Sequence, residues 1–446
     1  MRPDPGSASA KPVDASSAER LPLIIAGRSG VAEGPHPRVK SDQSRLLAPP
    51  RSSSVGFVPN EFIVKVASRC NLNCTYCYMY NKGDSSWLTR PAIMPDELFG
   101  TTIERIREHC SYYDLSAVSI AFHGGEPTLI GISRFNRWCE LARRRLGGVQ
   151  VKLAIQTNAT LLNSSWARAL AENKVLVGVS VDGPATVNDA HRVDRHGKGS
   201  HRQIIQGLDS LRAEGVSFGI LTVIPLGATD PVSIHKHLND LGPTSIGYLF
   251  PDETHETIGG VRCKFGPAPV SDFLIPIFDE WLYGDKMRTL VHPFWEMALA
   301  IRGGNGGSES LQNGPFQYLV IETDGEIQGS DVLRICDGGG TSGKNVSSAM
   351  LRDVLDSSPL ATALQGGIPL ATVCQKCAES DTCGGGFLPH RYSRERGFDN
   401  PSVWCADLLR LFTHIRARMR VSPSETALRR RMRPGANGAS SDIGEL

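Results

Sequence analysis

Apolar and polar positions change rhythm twice along the chain. Up to about residue 58 there is no regular period: Ser, Pro, Ala and Gly dominate, with one apolar island at Leu21-Pro22-Leu23-Ile24-Ile25. That composition predicts a disordered or loosely docked extension over residues 1–58. From Glu61 onward, short apolar and often β-branched runs recur: Phe62–Val66, Val118–Phe122, Val151–Ile155, Val175–Val179, Phe218–Ile224 and Ser245–Phe250. Helix-like segments lie between them, such as Pro95–His109, opened by Pro-Asp-Glu, and Ser164–Glu172 behind a serine cap. Six strand–helix alternations predict parallel βα units over 59–290, in an open sheet or an incomplete barrel. Near Pro293 the pattern breaks. A GGNGG run, a hairpin turn at Asp324-Gly325 and a late group of cysteines predict a smaller, irregular, metal-stapled unit over 291–420. The Arg-rich, then Gly/Ser-rich stretch 421–446 reads as a flexible, solvated tail.

Length and charge narrow the function classes. A chain of 446 residues has a length prior of about three domains, although one α/β barrel can occupy half of it. Lys+Arg 48 against Asp+Glu 46 gives a net charge of +2, with no strong field for nucleic acid or a membrane surface. The first residues, MRPDPGSASA, carry no apolar signal core, and no apolar run is long enough to span a bilayer, so the expectation is a cytoplasmic protein. In that reducing compartment the 11 cysteines read as metal or redox ligands rather than disulfides.

Three cysteines, Cys70, Cys74 and Cys77, follow the first strand in SRCNLNCTYCY. A loop after a barrel strand sits at the C-terminal face, where βα-barrel chemistry takes place. Three thiolates on an iron–sulfur cubane leave one iron without a protein ligand, free to chelate a small molecule. The other reading of the loop alone is a zinc knuckle with a distant fourth ligand.

CxxxCxxC with Tyr76 before the third cysteine resembles the signature of radical S-adenosylmethionine (SAM) enzymes, and the resemblance implies a partial (β/α)6 barrel. It implies a 4Fe–4S cluster on Cys70, Cys74 and Cys77 whose open iron chelates the methionine moiety of SAM. Reduction then yields a 5′-deoxyadenosyl radical that abstracts a substrate hydrogen. Later motifs extend the likeness. Phe122-His123-Gly124-Gly125-Glu126-Pro127 resembles the GGEP motif that holds the methionine amino group, with Gly124 and Gly125 allowing close backbone approach and Glu126 accepting from the ammonium. Gln156-Thr157-Asn158-Ala159-Thr160 resembles QTNGT, departing at Ala159 where glycine is usual, and places Gln156, Thr157 and Asn158 at the adenosyl or substrate site. Ser180 and Arg192 match, in type and separation, a pair that binds the methionine carboxylate or the ribose. Asp182 is assigned no chemistry. The tract HRVDRHGKGSH lacks the aromatic residues of a base-stacking surface and reads as a solvated loop.

Cys374, Cys377, Cys383 and Cys405 form a second group, whose spacing fits either a closed cluster or a four-cysteine zinc site. The region resembles the SPASM domain of peptide-modifying radical enzymes, so the implied occupant is one auxiliary 4Fe–4S cluster. Many relatives hold two. Here no cysteine follows the Asp324-Gly325 hairpin at the family position, and Phe387 stands where another is expected. Cys336 reads as a single structural or free cysteine, and Cys110, Cys139 and Cys263 as packed ones. CGGGFLPHRYSRERGFDNPSVWCADLL resembles the C-terminal signature of cyclophane-forming radical SAM/SPASM peptide maturases. Several of those carry an HExxH region that is missing here.

The resemblance implies an enzyme that joins an aromatic ring carbon to a β-carbon in a ribosomal precursor peptide, served by an electron donor of the flavodoxin or ferredoxin type. Other peptide-modifying radical reactions (formylglycine formation, thioether formation, epimerisation) are the enzymatic alternatives, and a zinc-stapled binding protein is the alternative of a different class. No catalytic base is assigned: Glu322, Asp324 and Asp331 each have a hairpin or surface explanation.

Overall fold

The computed structural model describes residues 58–284, 289–304, 311, 316–337, 339–357 and 368–432. Nearly all of the expected N-terminal extension and the end of the tail lie outside these residues. The six apolar runs form six strands: β1 (Glu61–Ala67), β2 (Ala117–Gly124), β3 (Gln150–Thr157), β4 (Leu176–Ser180), β5 (Phe218–Val223) and β6 (Ser245–Leu249). They pair in parallel, each with the next. β7 (Leu290–Val291) adds beside β6. β8 (Tyr318–Ile321) adds in parallel beside β1, and β9 (Glu326–Gln328) and β10 (Thr341–Asn345) continue antiparallel from β8. The ten-stranded sheet is open, with β10 at one edge and β7 at the other. This is the expected α/β architecture: a partial barrel of parallel units followed by a smaller, irregular C-terminal unit.

The two-residue period of a strand sorts side chains between two environments. On β1, Phe62, Val64 and Val66 are fully buried in the main core, each contributing about 1.5–3 kcal/mol by transfer from water. Ile63 instead joins Ala121, Ala154, Tyr318 and Val320 in a smaller cluster on the other face. The same parity carries the later positions Lys65, His123, Gln156 and Ser180 to that inner face, at the C-terminal ends of their strands. The periodicity that builds the core therefore also aims the polar residues of the site.

Local signals hold with small changes. The first helix runs Asp96–Tyr113, entered through extended Pro95 and closed by left-handed Asp114. Helix Ser164–Glu172 has the expected bounds, but its cap is Asn163, whose side chain accepts from Trp166 N at 3.0 Å. The Asp324-Gly325 turn joins β8 to β9, with Gly325 at φ 85. The stretch expected as a free tail contains a helix, Pro423–Met432, tied down where Thr426 Oγ1 donates to Ile301 O at 2.5 Å. Among the described residues no helix is long and apolar enough to cross a membrane.

Candidate active site

A cavity of about 250 Å³ opens at the C-terminal ends of the strands. Its walls come from the whole length of the chain: the three-cysteine loop, the ends of β2 to β6, helix His292–Ile301, and Phe387, His390, Ser402 and Leu408 of the late region.

Cys70, Cys74 and Cys77 all line this cavity, and none is in a disulfide. Their loop is pinned from outside. Asn73 N donates to Val193 O at 2.7 Å and Thr75 N to His191 O at 3.0 Å. The segment 191–194 is thus a clasp on the cysteine loop, and only residues 195–198 form the solvated loop expected for the whole tract. Burial, then the nearby Glu126 carboxylate, pushes the Cys70 thiol up to about 12. Burial pushes Cys74 up to about 11 against the pull of Arg192, and raises Cys77 as well. Iron must therefore displace protons as it binds.

Gly124 and Gly125 line the cavity, but what makes them glycine is the cysteine loop. A Cβ on Gly125 would lie 2.1 Å from Tyr80 Oη and 2.3 Å from Arg69 O; one on Gly124, which sits at φ +137, would lie 2.0 Å from Ala67 O. The backbone closes against β1 there, with Gly125 N donating to Ala67 O and Glu126 N to Arg69 O. Glu126 departs further from expectation. It is fully buried, not among the cavity-lining residues, and accepts from Thr128 N, Thr128 Oγ1, Thr157 Oγ1 and Asn158 N at 2.6–3.0 Å. Its oxygens are taken up by Thr128 of its own segment and by Thr157 and Asn158 at the end of β3. It ties two motif loops together instead of facing the cavity.

Gln156, Thr157, Asn158, Ser180 and Arg192 all line the cavity. Gln156 Nε2 donates to Ser180 Oγ at 2.9 Å, while Gln156 Oε1 is buried with no hydrogen-bond partner. Asn158 Nδ2 points at Cys70 Sγ, 3.6 Å away. Ala159 sits at φ 59, a left-handed conformation that glycine adopts more easily.

Sequence reasoning missed Asp182. It is buried and accepts from the Tyr76 hydroxyl and from Val223 N at 3.1 Å, and it pairs with Arg192 Nε at 3.0 Å. The Arg192 guanidinium lies 5.6 Å from the Tyr76 ring centre. Burial opposes the charge on Arg192, but Asp182, Tyr76 and Cys74 together outweigh it and hold the group above its ordinary range. The residue passed over as part of an Asp-Gly-Pro turn thus joins the cysteine loop to the cation of the site.

A second missed feature lies behind the inner face. Lys65, fully buried on β1, is 2.8 Å from Asp331 and 3.7 Å from Glu322. Arg334 pairs with Glu322 and with Asp84, and Tyr78, on the cavity wall, donates its hydroxyl to Asp331. Burial works against the Asp331 charge, yet Lys65, His123 and Arg334 keep it ionised well below the usual carboxylate range. Burial pulls the neighbouring His123 down to about 4. The surface explanation of Glu322 and Asp331 therefore fails, since they are 0% and 2% exposed; only Asp324 is partly open, beside Arg90.

The four late cysteines converge. Cys374, Cys377 and Cys405 all act electrostatically on Cys383, whose thiol burial pushes up to about 12. Cys336 stands apart, buried with its sulfur 3.9 Å from Pro389 O, and Cys110 and Cys139 are packed as expected. Cys263 is exposed, contrary to expectation. Among the described residues no three His, Cys, Asp or Glu side chains gather around a single ion position.

Comparison with known proteins defines the class. Residues 64–241 match the Radical SAM superfamily, so the chain carries a radical SAM domain and is an enzyme. It is 26% identical over 372 residues to a cysteine-type anaerobic sulfatase-maturating enzyme of Clostridium perfringens, covering 81% of this chain and 97% of that one. A serine-type anaerobic sulfatase-maturating enzyme of Bacteroides thetaiotaomicron is 26% identical over 370 residues, covering 78% and 87%. The structure of native anSMEcpe with bound AdoMet superposes with a TM-score of 0.68 at 24% identity, covering 80% of this chain and 97% of that one. That of Streptococcus suis SuiB bound to precursor peptide SuiA gives 0.53 at 17%, covering 78% and 76%. The cofactors of the domain are a 4Fe–4S cluster and SAM, and the site fits both: three free thiols at the cavity wall, a buried unpartnered acceptor on Gln156 and a cation on Arg192.

Proposed function

We propose that this enzyme oxidises a ribosomally made peptide and joins an aromatic ring carbon to a β-carbon, in a reducing cytoplasm with a flavodoxin- or ferredoxin-type electron donor. The observation that carries the reading is that the three-cysteine loop and the late region wall one cavity. When bound, the cluster and SAM supply a 5′-deoxyadenosyl radical that takes one hydrogen atom from the substrate. Cys70, Cys74 and Cys77 would hold that cluster; Arg192 would bind the methionine carboxylate, and Gln156 Oε1 would accept from its ammonium. Glu126 then acts as a positioning residue, fixing the backbone of Gly125 and Asn158 around the cofactor. Cys374, Cys377, Cys383 and Cys405 would hold one auxiliary cluster as the electron acceptor. The proton leaves through Tyr78, which faces the cavity and donates to ionised Asp331. Asp331 is a weak base, but a carbon that rearomatises as it loses an electron gives up a strongly acidic proton, so a weak base suffices. The apolar wall of Leu249, Phe250, Met297, Leu311 and Phe387 suits an aromatic side chain.

A second reading, formylglycine formation, is favoured by the sulfatase-maturating relatives that this chain covers almost end to end. Co-expression with a candidate precursor and mass spectrometry separates the two. The cross-link removes two hydrogens, persists when every peptide cysteine is replaced, and blocks fragmentation inside the bridge. β-Deuterium on the attacked residue should appear in 5′-deoxyadenosine. An aldehyde on a cysteine or serine, or label arriving only from an α-position, would reject the cross-link.

A further inference from the structure

We infer that Arg391 sets the reduction potential of the auxiliary cluster, holding it high enough to accept the substrate's electron. The inference rests on the late cysteines binding that cluster, as proposed above. Arg391 is 0% exposed, and its guanidinium is anchored on backbone carbonyls, with Nε donating to Asn400 O at 3.3 Å and Nη2 to Pro369 O. Asn400 Nδ2 donates back to Arg391 O at 3.0 Å, fixing the chain that carries it.

The segment after Cys383 makes room for this cation. Gly384, Gly385 and Gly386 have φ of 61, 83 and 75, three successive left-handed residues. The Gly385 backbone amide favours the Cys383 thiolate, and a Cβ on Gly385 would lie 3.6 Å from Arg391 Cδ and 3.7 Å from its Nε. The guanidinium therefore passes beside the backbone two residues after a ligand cysteine, and it acts electrostatically on both Cys374 and Cys383. Glu379 N supplies a second donor, 3.4 Å from Cys377 Sγ.

Net charge and hydrogen bonds to the sulfurs are the protein's main controls over cluster potential. A four-iron cluster that takes one electron becomes more negative by one charge, and a fixed cation beside it stabilises the reduced form. Water screens the cation little, because the side chain is buried. The cluster's electron comes from the substrate as that loses its second hydrogen as a proton.

The test is an anaerobic redox titration, followed by electron paramagnetic resonance, of the full chain with Cys70, Cys74 and Cys77 changed to Ala, so that only the auxiliary cluster contributes. Arg391→Gln should lower the midpoint potential at unchanged iron and sulfide content. Arg391→Lys keeps the charge but not the fork that reaches two carbonyls, and should lower it less. Equal midpoints in all three proteins would overturn the inference, as would loss of iron from both variants, which would make Arg391 a fold anchor. A parent protein without iron and sulfide would instead reject the cluster reading itself.

Discussion

Removing the Arg192 side chain should do two separable things. Arg192→Ala deletes the cation 3.0 Å from Asp182 and leaves a carboxylate that is 1% exposed with only the Tyr76 hydroxyl, Val223 N and, more distantly, Thr222 Oγ1 around it. Breaking a buried pair from one side costs about 3–5 kcal/mol, a large part of a typical domain's stability. The cysteine loop itself is held by backbone bonds to residues 191 and 193, which the substitution leaves in place, so both clusters should still load. Adding Asp182→Asn removes the stranded charge while keeping a polar partner for Tyr76, and should recover most of the lost stability. SAM affinity should not recover, because the lost charge-assisted bond to its carboxylate costs roughly 1.5–3 kcal/mol, or about 10- to 150-fold. Anaerobic denaturant melts and equilibrium dialysis with labelled SAM read the two effects apart. Wild-type stability in the single variant would show that Asp182 does not depend on Arg192. Wild-type SAM binding in the double variant would show that Arg192 acts only through Asp182.

Other outcomes follow from the same geometry. Replacing Cys70, Cys74 and Cys77 by Ala should remove about half of roughly eight irons per chain and all SAM cleavage; tightly bound zinc without sulfide would sink the cluster reading of the late cysteines. Burial raises the Asp407 carboxyl to about 6, although it accepts from Ser271 N at 2.8 Å. The folded state therefore holds this proton at a higher pH than the unfolded chain, and stability should fall as pH rises from about 4 to about 6. Asp407→Asn should flatten that window and gain about 2–3 kcal/mol at pH 7, read by melts across pH. Ala159→Gly relieves a left-handed alanine and adds chain entropy of similar size, so stability should stay within about 1 kcal/mol. Gly125→Ala should instead displace the cysteine loop and lower iron content, and normal iron there would refute the close-packing account.

How much was legible depended on the distance over which each signal acts. The six strands could be read because an apolar β-branched run is a local signal, and their period of two already aimed Gln156 and Ser180 inward. Asp182 could not be read: its partners Tyr76, Arg192 and Val223 come from three separate segments, and only the fold shows that they meet. Lys65 lay inside an apolar run with no local hint that Asp331 and Glu322 would neutralise it. Glu126 was recognised through its motif, but its four donors were not, because a motif names a residue type and not the groups that bond to it. Gly124 and Gly125 were likewise credited to a ligand's approach, when the nearer obstacle is the chain's own first loop.

Lys65 has a consequence for the order in which the chain assembles. β1 emerges early from the ribosome, but the carboxylates that neutralise its buried ammonium, and β8, which covers its free edge, are synthesised far later. Until they arrive, closing the first strands would strand an unpaired charge in the interior, a cost that a half-made barrel cannot meet. The two units that the sequence pattern separates should therefore fold as one cooperative unit, the later completing the earlier. A chain stopped after residue 304 should stay open to proteases under conditions where the full chain resists them; a resistant fragment would show that the early strands can close around Lys65 alone.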